Sequence, residues 1–159
     1  MSAAPGQHLT VRIPGEGRPG LVRIRSLSSA PGAAEYRISL KREDRGTVST
    51  YLPAHLHTGD VIEAAAPRGT FVLADDHTPV ALFSAGIGVT PVLAMLYQLA
   101  LGHSSRAVWW VHTAGDPEQQ PFAEEARQLL ARLSQARTFI YFTAPDLEIA
   151  GGRASRTDA

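Results

Sequence analysis

The run Ser84-Ala85-Gly86-Ile87-Gly88-Val89-Thr90-Pro91 stands between two apolar stretches, Val80 to Ser84 and Pro91 to Leu101. Glycines here let backbone amides come close to a ligand, and a helix beginning at this point adds unpaired N–H groups and a partial positive charge. The guest that suits such a turn is a phosphate or pyrophosphate. Thr90 is the expected N-cap and Pro91 the expected first helical residue, where a missing N–H costs nothing. The same pattern also fits a tight strand-to-helix turn with nothing bound. Pro91 occupies the third glycine position of a Gly-x-Gly-x-x-Gly fingerprint, and the next acidic residue is Asp116, so a standard Rossmann dehydrogenase is a poor match.

A second set of residues could meet phosphate from another direction. In Arg23-Ile24-Arg25-Ser26-Leu27-Ser28 the two-residue period of a strand puts Arg23 and Arg25 on one face, where paired guanidinium groups can clamp phosphate oxygens. The bland alternative is a solvated strand face. Gly46-Thr47-Val48-Ser49 offers amides and two hydroxyls to a further phosphate, or is an ordinary capped helix start. His112, at the end of a strand, lines a nucleotide site or caps a turn. His55 and His57 have no evident third ligand, and no metal site is expected. Ser84 lies in no Gly-x-Ser-x-Gly elbow, which argues against a serine hydrolase.

The elements that must carry these groups fall into two kinds. Before residue 76 the chain is rich in turns, with short alternating runs at His8 to Ile13, Val22 to Arg25, Tyr36 to Lys41, Val61 to Ala65 and Phe71 to Leu73. Val22 and Ile24 are read as the dry face of their strand, and the whole as a small antiparallel β-barrel. From about residue 77 strands alternate with helices: strand Val80 to Ser84, helix Pro91 to Leu101, strand Ala107 to His112, helix Glu118 to Ser134, strand Thr138 to Phe142. Phe122, Ala126, Leu129, Leu130 and Leu133 form one apolar stripe on the second helix, and Trp109-Trp110 belongs in a central strand. That order predicts a parallel sheet, so two domains are expected, a barrel at 1–76 and an α/β unit at 77–159.

Composition limits the remaining choices. The 159 residues balance 15 Lys and Arg against 15 Asp and Glu, which gives no basic field for nucleic acid or anionic lipid. Cysteine is absent, excluding disulfides, thiolate-held zinc or iron–sulfur clusters, and a thiol nucleophile. Thr78 to Ser105 contains no Asp, Glu, Lys or Arg, yet Pro79, Gly86, Gly88 and Pro91 divide it into pieces too short to span a bilayer. No secretory signal is legible in Met1 to Gln7, and a cytoplasmic setting is expected.

Taken in order, these motifs resemble the ferredoxin reductase-like flavoprotein superfamily, and within it the reductase portion of flavohaemoglobins and MOSC-associated oxidoreductases. Pro5-Gly6-Gln7-His8 is similar to the opening of that barrel, and Arg23-Ile24-Arg25-Ser26-Leu27-Ser28 to its Arg-x-Tyr-Ser flavin motif. Tyr36-Arg37-Ile38-Ser39-Leu40-Lys41-Arg42-Glu43, Gly46-Thr47-Val48-Ser49, Gly59-Asp60, Pro67-Arg68-Gly69 and Gly86-Ile87-Gly88-Val89-Thr90-Pro91 continue the likeness.

The resemblance implies a hydride path from NADH or NADPH to FAD, with FMN the less favoured flavin, and then to an electron acceptor that is a protein or a small molecule. Arg23 would hold flavin phosphate, Arg25 and Leu27 would line the flavin, and Ser26 would approach its N5. Leu40 and Lys41 would contact it, and Gly46, Thr47, Val48 and Ser49 would hold the pyrophosphate. Gly86, Ile87, Gly88, Val89, Thr90 and Pro91 would receive the nicotinamide nucleotide, with Thr90 beside the reacting ring and His112 along the site. Arg25 departs from the family, standing where an aromatic residue stacks on the flavin, and Gly115 lies where relatives that use NADPH carry arginine, which leans toward NADH. The likeness also implies a chain short of the family at both ends, lacking the first barrel strand and the Cys-Gly-Pro segment. A homodimer is one arrangement left open. The competing reading is a truncated or degenerate relative that binds a nucleotide or serves a structural role without turnover.

Overall fold

A computed structural model describes residues 3–13, 20–42 and 56–143. Gly46-Thr47-Val48-Ser49 and His55 lie outside the described residues. The first unit is an antiparallel sheet in the order β2-β1-β3, made of β1 (His8–Ile13), β2 (Leu21–Ser26) and β3 (Glu63–Ala64). Isolated bridges join His8 to Arg68 and Leu27 to Ile38, returning both later segments to β1 and the exit of β2.

Register decides which face of this sheet is dry. Leu9 stands opposite Arg25 and Val11 opposite Arg23, and directly opposed side chains of an antiparallel pair share a face. Leu9, Val11 and Leu27 are buried, with Ala3 and Ile38 packed against them. The arginines therefore lie on the core side, half-buried, a position a long aliphatic stem with a charged head can occupy. Val22 and Ile24, expected on the dry face, are 49% and 60% exposed on the other side, where no described element covers them. Tyr36 to Leu40 and Phe71 to Leu73 are also not strands. The first is held by side-chain bonds instead of a ladder: the Ser28 hydroxyl bonds to the Arg37 carbonyl and to the Ser39 hydroxyl.

The second unit is a parallel sheet in the order β4-β5-β6, from β4 (Val80–Ala85), β5 (Val108–Ala114) and β6 (Ala136–Phe142). α1 (Val89–Leu101) and α2 (Ala123–Leu130) connect the strands and pack on one face of the sheet. Leu82, Val108 and Trp110 from the strands meet Leu93 and Leu96 of α1 and Leu129 of α2 in the main core. Trp110 is buried in the central strand as expected, and the stripe of α2 faces inward with Ala126, Leu129 and Leu130. The opposite face carries Phe83, Val111 and Phe139 in register, and Phe83 is 67% exposed.

α2 is shorter than the stripe suggested. Pro117 and Pro121 resist helix upstream, and an Asp116 carboxylate accepting the Gln119 N–H turns the chain there, leaving Glu118 outside the helix. Phe122 enters in the left-handed region at φ 58°. Glu124 and Glu125 remain in the first turn, the favourable end for negative charge. Arg106 ties the segment before β4 to the start of β5. It is 8% exposed, donates from Nη1 to Ala74 O at 3.0 Å and from Nε to Thr78 O, and pairs with Asp76 at 3.2 Å. The segment around the expected boundary between residues 76 and 77 is thus tied to the start of β5.

Candidate functional site

The glycine turn follows directly from the end of β4. Gly86 to Gly88 form one turn of 3-10 helix that runs without a break into α1. Gly86 has φ +48°, a conformation that favours glycine, whereas Gly88 has φ −62°, which any residue can adopt. A Cβ built at either position meets nothing within 4 Å. Space is open over both residues, and at Gly88 neither conformation nor packing requires the absence of a side chain.

Thr90 and Pro91 do not open the helix as expected. The N-cap is Gly88, with no side-chain cap, because the 3-10 turn has already set the helical direction before Thr90. Thr90 is buried and its hydroxyl donates back to Ile87 O at 3.3 Å. The amides at the start of this continuous helical run have no acceptor within it, while the Val89 N–H is used on the Gly86 carbonyl. The start of the helical run thus lies at the glycines and not at Thr90.

Two residues before Gly86, Ser84 faces His112 across the β4–β5 pair. The Ser84 hydroxyl and His112 Nδ1 are 2.8 Å apart. His112 is 1% exposed, and burial pushes its pKa below the usual histidine value, so the ring is neutral near pH 7. Its ring stacks on Trp110 with centroids 6.5 Å apart. Nε2 is buried with no hydrogen-bond partner among the described residues. His112 therefore sits inside the layer beneath the turn, bonded to Ser84, and not at a turn surface. The site lies at the carboxyl ends of parallel strands, where open α/β sheets bind ligands.

On β2, Arg23 and Arg25 each donate from Nη1 to the preceding carbonyl, of Val22 and Ile24, at 2.9 Å. A guanidinium has five N–H donors, so among the described residues most of each group's capacity is uncommitted. Ser26 ends the strand, and Leu27 enters the small core beside it. Leu40 is half-buried and Lys41 exposed, both in coil. The β2 exit is brought to α1: Leu27, Ser29 and Ala94 line one small cavity, and the Leu27 N–H donates to Gln7 O at 3.0 Å. Gly6 forms part of this junction. At φ +100°, a Cβ there would stand 2.1 Å from Phe71 O and 2.6 Å from Met95 Cε.

Sequence reasoning missed the strongest polar cluster at this junction. Arg37 donates to both carboxylate oxygens of Glu125, at 2.6 and 3.2 Å, and to the carbonyl and hydroxyl of Ser28. Tyr97 on α1 donates its hydroxyl to the same carboxylate, and Arg37 lies 5.2 Å from the Phe122 ring centroid. The bond to Glu125 raises the Arg37 pKa, and burial, followed by the same carboxylate, raises that of Tyr97. In the sequence Glu125 is one acidic residue within the expected helix Glu118 to Ser134.

Similarity to known proteins covers most of the chain. It is 39% identical over 140 residues to a flavohemoprotein of Deinococcus radiodurans, across 87% of this chain and 34% of that protein. A flavohemoprotein of Bacillus cereus is 39% identical over 158 residues, across 93% of this chain and 39% of that one. Among solved structures, the FAD/NAD-binding domain of a nitric oxide dioxygenase from Vibrio cholerae superposes with a TM-score of 0.84 at 32% identity, over 93% of this chain and 64% of that one. The chain belongs to the ferredoxin reductase-like superfamily. The ferredoxin reductase-like chain spans only a little over a third of the curated relatives just named, at 34% and 39%. No protein-family model matches it. No described helix of this ferredoxin reductase-like chain is long and apolar enough to cross a membrane.

Proposed function

We propose that the chain is a flavin-dependent NAD(P)H oxidoreductase module that passes electrons from a reduced pyridine nucleotide through FAD to an acceptor, a protein or a small molecule. Its antiparallel part, residues 1–76, takes the flavin, and its α/β part, residues 77–159, takes the pyridine nucleotide. The observation that carries the reading is the pair of glycines with open space above them at the start of α1, beside the β2 exit that carries the arginines. FAD bound here supplies the chemistry of accepting a hydride and releasing electrons singly.

The residues present suit that division of labour. The remaining guanidinium donors of Arg23 bind phosphate oxygens, and Arg25 offers a planar cation to the ring system in place of an aromatic side chain. Ser26 presents a hydroxyl at the end of the strand, next to Leu27, while Leu40 and Lys41 complete the flavin wall. Gly46, Thr47, Val48 and Ser49 are the expected pyrophosphate contacts. Amides of the Gly86-Ile87-Gly88 turn hold the phosphates of the pyridine nucleotide, and Val89, Thr90 and Pro91 follow them. The neutral His112, whose Nε2 has no partner among the described residues, supports the wall behind that turn without adding charge. NADH is the favoured donor.

Colour provides the test. Purified protein supplied with FAD should retain near-stoichiometric flavin absorbance and bleach anaerobically on addition of NADH. A colourless protein that takes up no flavin would overturn the proposal.

A further inference from the structure

The cluster of Arg37, Glu125 and Tyr97 joins the chain just beyond β2 to α1 and α2 of the second unit. Arg37 grips Ser28, two residues beyond Ser26, through the serine carbonyl and hydroxyl, and the Ser28 N–H donates in return to the Arg37 carbonyl at 2.8 Å. Its other edge holds Glu125 with two bonds across 88 residues of sequence. Glu125 belongs to α2, which follows β5 and His112, and Tyr97 fixes its carboxylate from α1, the helix that begins at the glycine turn. A two-bond guanidinium–carboxylate pair fixes angle as well as distance, which a single point contact does not.

We infer that Arg37, Glu125 and Tyr97 are positioning residues that set the separation between the flavin strand and the nucleotide turn, and with it the rate of hydride transfer. The inference rests on the cofactor assignment proposed above. Hydride transfer requires close approach of the two reacting atoms, and a misplacement of about 1 Å can cost about a hundredfold in rate. A cluster that only stabilised the fold would change melting temperature and leave the spacing unaltered.

The test uses the whole chain and two readouts. Because the sequence has no cysteine, Val22→Cys and Ala131→Cys can be labelled cleanly with nitroxides, and pulsed dipolar spectroscopy then reports the distance between β2 and the end of α2. Arg37→Lys, which keeps charge but loses the fork, and Glu125→Gln, which keeps shape but loses charge, should each broaden or shift that distance distribution. In FAD-loaded protein, the limiting rate of anaerobic flavin reduction should fall roughly ten- to a hundredfold, while flavin occupancy and the apparent Kd for NADH change less than about threefold. An unchanged distribution with an unchanged limiting rate would overturn the inference, whatever happens to the melting temperature. Protein that takes up no flavin would refute the proposed function, and the label distances alone would then decide whether the cluster sets the spacing. Tyr97→Phe, which removes one hydroxyl, keeps the test open if a charge variant does not fold: it should broaden the same distribution, and an unaltered width would count against the cluster.

Discussion

Gly88 separates a glycine needed by the fold from one needed by a ligand. Its φ of −62° suits any residue, and a Cβ placed there finds open space to 4 Å. Removing glycine's freedom from the unfolded chain should stabilise Gly88→Ala by about 0.4–1 kcal/mol, offset by roughly 0.5–1.5 kcal/mol for a poorer N-cap. The net change in stability is thus expected within about 1 kcal/mol of zero. For a bound pyridine nucleotide the same methyl group occupies the approach to the backbone amides. Losing one charge-assisted amide-to-phosphate bond, about 1.5–3 kcal/mol, would weaken NADH binding roughly 10- to 100-fold, and Gly88→Leu should weaken it further. The assay is anaerobic flavin bleaching as a function of NADH concentration, with thermal melts in parallel. Gly86→Ala is the control with a fold penalty, since φ +48° costs a non-glycine residue about 1–2 kcal/mol. Gly88→Leu protein that binds NADH within twofold of the parent, with flavin in place, would refute the assignment of the turn.

Other outcomes follow from the same geometry. Arg23→Ala should weaken FAD retention roughly 10- to 100-fold through loss of charge-assisted phosphate bonds, while the exposed Arg42→Ala changes it less than about threefold; equal effects, measured by flavin release in equilibrium dialysis, would remove Arg23 from the phosphate site. Gly6→Ala should cost roughly 2–4 kcal/mol in urea unfolding, because a positive φ and a carbonyl oxygen 2.1 Å from the new Cβ act together. His112 is held neutral by burial, so its folded pKa lies below the unfolded value near 6.5. Its contribution to stability is therefore complete above about pH 6.5 and is lost as pH falls from there through the folded pKa, with a slope of at most about 1.4 kcal/mol per pH unit. Denaturation series between pH 8 and pH 5 should show a shallower fall in His112→Gln, and parallel curves would exclude this histidine as the cause.

The parts of the fold that were legible are those in which local pattern and burial agree. β1, β4, β5 and α1 are continuous apolar or alternating runs bounded by glycine and proline, and each appears within a few residues of where its pattern puts it. The period of β2 was also legible, but not which side of it is dry. Alternation places Val22 and Ile24 opposite Arg23 and Arg25 without saying which pair meets the core, and that choice is made by the register to Leu9 and Val11 on β1. The helix cap failed for a different reason. Thr90 has the side chain of a cap, but the glycines ahead of it adopt helical geometry first and leave its hydroxyl pointing back to Ile87. Nothing local announces the Arg37–Glu125 pair, because its partners meet only after both units have folded.

The arginines show why residue type alone does not locate a ligand site. Arg106 is buried, and a buried guanidinium must find acceptors for its charge and donors. It has them in Ala74, Thr78 and Asp76, and it works as a structural pin. Arg37 is half-buried and also engaged, by Ser28 and Glu125. Arg23 and Arg25 share that half-burial but differ in engagement, since among the described residues each donates only to the carbonyl before it on its own strand. Removing Arg106 should therefore loosen the segment before β4, whereas removing Arg23 should leave the fold nearly intact and act on an anion. Among the described residues the half-exposed pair bonds to no acceptor beyond its own strand, and under the proposed function phosphate oxygens would supply the further acceptors.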